Sequence, residues 1–69
     1  MDVEDFLELC NEAIRDCERV PERGADFAGS VQDKIESMMD YAEEHDHVTE
    51  RMADALENMH TAIRKWLRD

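Results

Sequence analysis

Apolar residues recur every three or four positions along nearly the whole chain, and only two glycines and one proline interrupt them. At about 100° per residue this spacing gathers the apolar side chains on one side of an α-helix. The two-residue alternation of a half-buried strand occurs nowhere. In the first segment Val3, Phe6, Leu7, Cys10, Ala13, Ile14 and Cys17 share one sector. In the second, Phe27, Val31, Ile35, Met38 and Ala42 do so. In the third the stripe is Val48, Met52, Ala55, Leu56, Met59, Ile63, Trp66 and Leu67. Each stripe has a charged back, so each helix must bury one side against the others.

Local signals place the breaks. Asp2 can cap the first helix, its carboxylate accepting from free backbone N–H groups. Val20-Pro21 ends that helix, because the residue before proline is pushed out of the helical region. The following Pro21-Glu22-Arg23-Gly24 reads as a turn in which Gly24 is free to take positive φ. Asp26 is the favoured cap of the second helix, with Ser30 and Asp33 as a second capping signal further on. Arg64, Lys65 and Arg68 suit the negative end of the third helix. The pattern predicts one all-α domain over residues 1–69, an antiparallel three-helix bundle with helices near 2–20, 25–45 and 48–67. Short connections favour that arrangement. A 69-residue chain has a thin core, which a second subunit, a metal or a disulfide would supplement. A homodimer is expected, with the apolar residues beside the main stripes, Leu9, Met39 and Leu67, as its contact.

Residues 43–52, EEHDHVTERM, concentrate histidines and acids in the way a metal site does. They also span the corner between the second and third helices. Asp46 or Thr49 is a natural N-cap there, and Glu50 suits a first helical turn. His45 extends the second stripe and is expected to pack against the corner, with His47 in the turn. A second metal signal is Glu57-Asn-Met-His60, the Glu-x-x-His spacing of di-iron bundles, with Glu36 level across the hairpin. Glu57, however, lies about 140° from the middle of its apolar stripe, and Glu36 is turned away by a similar angle. Glu57 and His60 could therefore hold a metal only if another subunit covered that face, and His45 and His47 only if three or four ligands converged there with a supporting second shell. The reading preferred is a corner, with no metal and no cofactor.

Cys10 and Cys17 stand on one helix about 10.5 Å apart, beyond disulfide reach. They read as buried thiols acting as small hydrophobes. No histidine lies near them in sequence, although His60 could approach the first helix. Met38, Met52 and Met59 are central in their stripes, and Met39 sits at an edge, where a methionine can support adaptable binding. Trp66 anchors the C-terminal turn. The chain has no glycine-rich phosphate loop, nucleophile elbow or zinc knuckle, and a bundle of this size offers little room for a pocket. No enzymatic activity is expected.

The formal net charge is −11, from 19 acids against 8 bases. Such a surface repels nucleic acid and anionic membrane, and attracts basic proteins. The charge is uneven. Residues 25–50 hold eight acids and one lysine, whereas residues 51–69 hold three acids and four bases. The acids expected to point outward are Glu4, Asp5, Glu8 and Glu12 on the first helix, with Asp33, Glu36, Asp40, Glu43 and Glu44 on the second. No apolar run approaches membrane-spanning length and the acidic N-terminus is unlike a signal peptide, so a cytoplasmic setting is expected.

Phe27, Ser30 and Val31 open one helix, and Val48, Thr49, Glu50 and Arg51, followed by Ala55 and Leu56, open the next. This pattern resembles a helical hairpin of small phage and mobile-element proteins, over about half the chain. Met52 replaces the glutamine usual in that pattern. The resemblance implies a phage or mobile-element origin and assigns no function. Together with the charge it leads to a small acidic protein-binding module, a regulator or phage-type inhibitor that engages a basic partner by imitating nucleic acid. The alternatives are a structural dimerisation module and a metal-binding helical protein with its site at a subunit interface.

Overall fold

The computed structural model describes residues 2–68. Three helices follow one another: α1 (Val3–Glu18), α2 (Ala25–His45) and α3 (Glu50–Arg68), with a single 3₁₀ turn, Glu22–Gly24, leading into α2. They form an antiparallel bundle 35 × 17 × 17 Å in extent. No helix among the described residues is long and apolar enough to cross a membrane. The packing is uneven. α1 lies most closely against α2 and less so against α3, while the seam between α2 and α3 is the loosest.

The core is built from Phe6, Cys10, Ala13 and Cys17 of α1, Ala28, Val31, Ile35 and Ala42 of α2, and Leu56 and Ile63 of α3. Phe6, Ile35 and Ile63 are fully enclosed, and each such side chain contributes about 1.5–3 kcal/mol by leaving water. Met38, Met52 and Met59 pack around this centre, half-buried.

Phe27 departs from the sequence expectation. It was placed in the α2 stripe, but it is 41 % exposed, and Ala28 takes the inward position at 4 %. Ala13 and Cys17 of α1 are buried in the same core as Ala28, and Gly24 is wedged under Trp66. By phase Ala28 points nearer the middle of the buried stripe formed by Val31, Ile35 and Ala42 than Phe27 does.

The helix ends also differ in detail. Asp2 occupies the N-cap position of α1, but its side chain makes no capping hydrogen bond. Its carbonyl accepts from the Phe6 N–H at 2.9 Å. The α2 helix starts directly from the 3₁₀ turn with Gly24 as N-cap and no side-chain cap, so neither Asp26 nor Ser30 serves that role. Asp26 instead sits in the first turn, where its charge complements the helix dipole. Gly24 has φ −108, not the positive value expected. A Cβ on it would lie 2.8 Å from Val20 Cγ1 and 3.0 Å from Trp66 Cδ2. Space, not backbone freedom, requires glycine here.

At the second corner the two cap candidates divide the work. Asp46 is the left-handed C-cap of α2 with φ 49 and ψ 44, and the His47 N–H donates to the Ala42 carbonyl at 3.3 Å. Thr49 is the cap of α3, its Oγ1 accepting from the Met52 N–H at 3.0 Å.

Candidate functional site

All nine acids expected to point outward do so: Glu4, Asp5, Glu8 and Glu12 on α1, and Asp33, Glu36, Asp40, Glu43 and Glu44 on α2 are exposed. The physical reason is the phase of the two helices, whose buried stripes face each other and turn the charged backs to water. Asp5, Glu8 and Glu12 surround Leu9 in a shallow depression of about 480 Å³. Glu4 lies with Asp2, Val3, Asp46, His47 and Val48 around another, of about 540 Å³, where the start of α1 meets the second corner. Among the described residues the ion pairs are Arg19 Nη1 with Asp16 Oδ1 at 3.9 Å and His60 with Asp16. None of the nine acids is in one. They cover the outer sides of two neighbouring helices and do not converge on a single point.

Between α1 and α3 runs a groove of about 340 Å³, lined by Leu9, Ala53, Leu56, Glu57, His60, Thr61 and Arg64. At its wall His60 Nε2 lies 2.8 Å from Asp16 Oδ2. His60 is 8 % exposed and Asp16 is half-buried. The approach of His60 to the first helix was legible from its place between Leu56 and Ile63 at helical spacing. Asp16 was not singled out. The available signal was a histidine inside an apolar stripe, which needs a polar partner once buried. The remaining Asp16 oxygen faces the Arg19 guanidinium on the exposed edge. The pair ties α3 to α1.

Cys10 and Cys17 are buried and unpaired. Burial pushes the Cys10 thiol up to about 11. It raises the Cys17 thiol as well, with smaller contributions from the Asp16 and Glu18 charges. A thiol held protonated is a poor nucleophile.

The other metal candidates are scattered. His45 does not pack against the corner. It is exposed and its ring sits 4.3 Å from that of Tyr41, one turn back on its own helix. His47 is exposed in the link to α3, and Glu57 and Glu36 are exposed on different helices. No group of three or more His, Cys, Asp or Glu among the described residues could hold a metal ion.

Of the expected dimer contacts, Leu9 and Met39 are half-buried and packed against the core, and Leu67 is half-buried near the end of α3. Among the described residues Phe27 and Tyr41 are the large hydrophobic side chains left exposed. At the Phe27 end of the bundle Trp66 covers Gly24, with the Arg23 guanidinium 5.6 Å from its ring centre, within cation–π range. No protein-family model, curated protein or solved structure matches the chain.

Proposed function

We propose that the protein is a small acidic binding module without enzymatic activity, acting in the cytoplasm as a dimer and engaging a basic, nucleic-acid-binding partner protein. Phage-type inhibitors that imitate a phosphate track are the kind of molecule it would be. The observation that carries this reading is the state of the nine acids on α1 and α2: all are exposed and, among the described residues, none is neutralised by an ion pair. Like charges crowded on neighbouring helices oppose folding, and a cationic partner surface relieves that repulsion.

The test is a titration. A partner captured from the native host is titrated with the parent protein and with the Glu36→Gln, Asp40→Asn, Glu43→Gln variant, at two salt concentrations. The reading expects affinity to fall steeply with salt, DNA to compete, and the variant to bind at least about tenfold more weakly while staying helical. Equal affinity for both proteins with no salt dependence reduces the acidic face to a solubility device. A structural dimerisation module is the second reading, favoured by the exposure of Phe27 and Tyr41.

A further inference from the structure

The fold uses only one of the two ring nitrogens of His60. Its Nε2 lies 2.8 Å from Asp16 Oδ2. An ionised carboxylate accepts and does not donate, so Nε2 carries the hydrogen, and in the neutral ring Nδ1 keeps a free lone pair. Nδ1 has no hydrogen-bond partner among the described residues. Yet no buried side-chain nitrogen or oxygen among them lacks one. Nδ1 is therefore within reach of solvent, although the residue as a whole is only 8 % exposed. The opening that His60 lines is the groove between α1 and α3. A buried histidine thus offers an oriented acceptor to a depression of about 340 Å³.

The surroundings of Nδ1 are apolar below and acidic to one side. Leu56 is buried in the groove, with Leu9 and Ala53 half-buried beside it. Glu57 lines the groove three positions before His60 and is exposed. That spacing brings the two residues to about 5–6 Å at Cβ. Glu57 faces water, which disqualifies it as an inward metal ligand and suits it to receive a partner. Asp5, Glu8 and Glu12 surround Leu9 on its α1 side. Arg64, one turn beyond His60, marks the other end of the groove. Asp16 is engaged by His60 and Arg19. Asp54 and Lys65 are exposed about 100° round α3 from the middle of the groove and do not line it.

We propose that this groove takes an arginine side chain of a partner protein, its stem on Leu9, Ala53 and Leu56 and its guanidinium shared between the Glu57 carboxylate and His60 Nδ1. The proposal rests on the basic partner of the reading above and gives that partner an anchor. Chemistry selects the occupant. Glu57 and Nδ1 both accept hydrogen bonds, so the occupant must donate. A guanidinium has five N–H donors in a planar fork and can bridge two acceptors, whereas an ammonium is a compact, strongly hydrated charge. A carboxylate or phosphate would meet two acceptors and the acids around Leu9. The methylenes of arginine bury along apolar surface while its head stays at the edge, and arginine is enriched among the anchor residues of protein interfaces. Arg64 repels the cation from the far end, which leaves it beside Glu57.

The probe is an acetylated tetra-arginine peptide, with the tetra-citrulline peptide, equal in stem and uncharged, as control. NMR of the ¹⁵N-labelled protein at low salt and neutral pH reads the outcome. The free ring should be in the Nε2–H tautomer. The arginine peptide should shift the Nδ1 resonance and the amides of Leu9, Ala53 and Thr61, and the citrulline peptide should leave them in place. Glu57→Gln changes an exposed position and should weaken binding at this site by about three- to tenfold. His60→Leu should do the same; if it loses its helical circular dichroism, Glu57→Gln and the ring resonance decide. A free ring in the Nδ1–H or doubly protonated form overturns the proposal, as do equal shifts with citrulline or an unchanged affinity of Glu57→Gln. Shifts confined to the acids of α2 overturn it and leave the acidic-face reading standing. Shifts in the groove alone support it and count against the α2 face. No shift anywhere at low salt overturns both.

Discussion

His60 Nε2 and Asp16 Oδ2 stand 2.8 Å apart and join α3 to α1 across 44 positions of sequence. The bond fills the polar need of a histidine that would otherwise be stranded between Leu56 and Ile63. Asp16→Ala removes the partner and leaves a buried ring nitrogen unpaired, which costs about 1–3 kcal/mol. Asp16→Asn keeps an acceptor and costs less. Replacing both residues, Asp16→Ala with His60→Leu, recovers part of the loss, because the buried polar group is gone as well. Urea unfolding of the four proteins gives the coupling energy, expected at about 0.5–3 kcal/mol. Additive single effects would show that the pair is not coupled.

Gly24→Ala tests the close approach of the first turn to Trp66. The new Cβ meets Val20 Cγ1 at 2.8 Å and two Trp66 ring carbons at 3.0 and 3.1 Å. Such overpacking costs about 1–3 kcal/mol, and each kcal/mol lowers Tm by about 4–8 °C in a domain of this size. Val20→Ala in the same chain should restore part of the stability by vacating the nearest atom. A thermal melt followed by Trp66 fluorescence reads both. An unchanged Tm would mean that the turn does not hold Trp66.

The thiols should be inert while the chain is folded. With Cys10 at about 11 against an ordinary value of 9.0, its thiolate fraction near pH 8 falls by about a hundredfold, and burial blocks access besides. Alkylation by iodoacetamide should therefore follow the unfolding equilibrium and accelerate sharply in denaturant. The folded chain holds this proton more tightly than the unfolded chain. The stability linked to it is thus present in full below about pH 9 and is lost as pH rises through about 11. A midpoint of urea unfolding that did not fall over that range would contradict the burial of Cys10.

The second corner offers two opposite substitutions. Thr49→Ala removes the acceptor of the Met52 N–H and should cost about 1 kcal/mol. Asp46→Gly relieves a side chain held at φ 49 and should be neutral or stabilising by up to about 1 kcal/mol. Chelator should leave Tm unchanged, since His45 and His47 stand in solvent. A drop of several degrees in EDTA would return these histidines to a metal site.

Much of this molecule is legible one helix at a time. Apolar spacing reveals three helices, and it puts Phe6, Cys10, Cys17, Ile35, Leu56 and Ile63 inside. The Val20-Pro21 break and the capping residues of the second corner act through their neighbours, so the bounds of α2 are read to the residue and those of α1 and α3 to within about two, although the left-handed cap that Asp46 places on α2 is seen only in the structure. The outward acids follow from the same phase, because a side chain opposite a buried stripe has nowhere to go but water. The tertiary structure decided what depends on how closely two helices approach. Ala28, not Phe27, took the inward place because the buried side of α2 settled on Ala28, Val31, Ile35 and Ala42. The glycine is needed for the volume under Trp66, a residue from the far end of the chain. Asp16 became the partner of His60 because the register of α3 on α1 brings them level, and no local pattern encodes that register. The same looseness between α2 and α3 left Tyr41 and Met38 along an open seam. A helical period tells which side of each helix is apolar; only the packing of the three together settles how much of that side is covered.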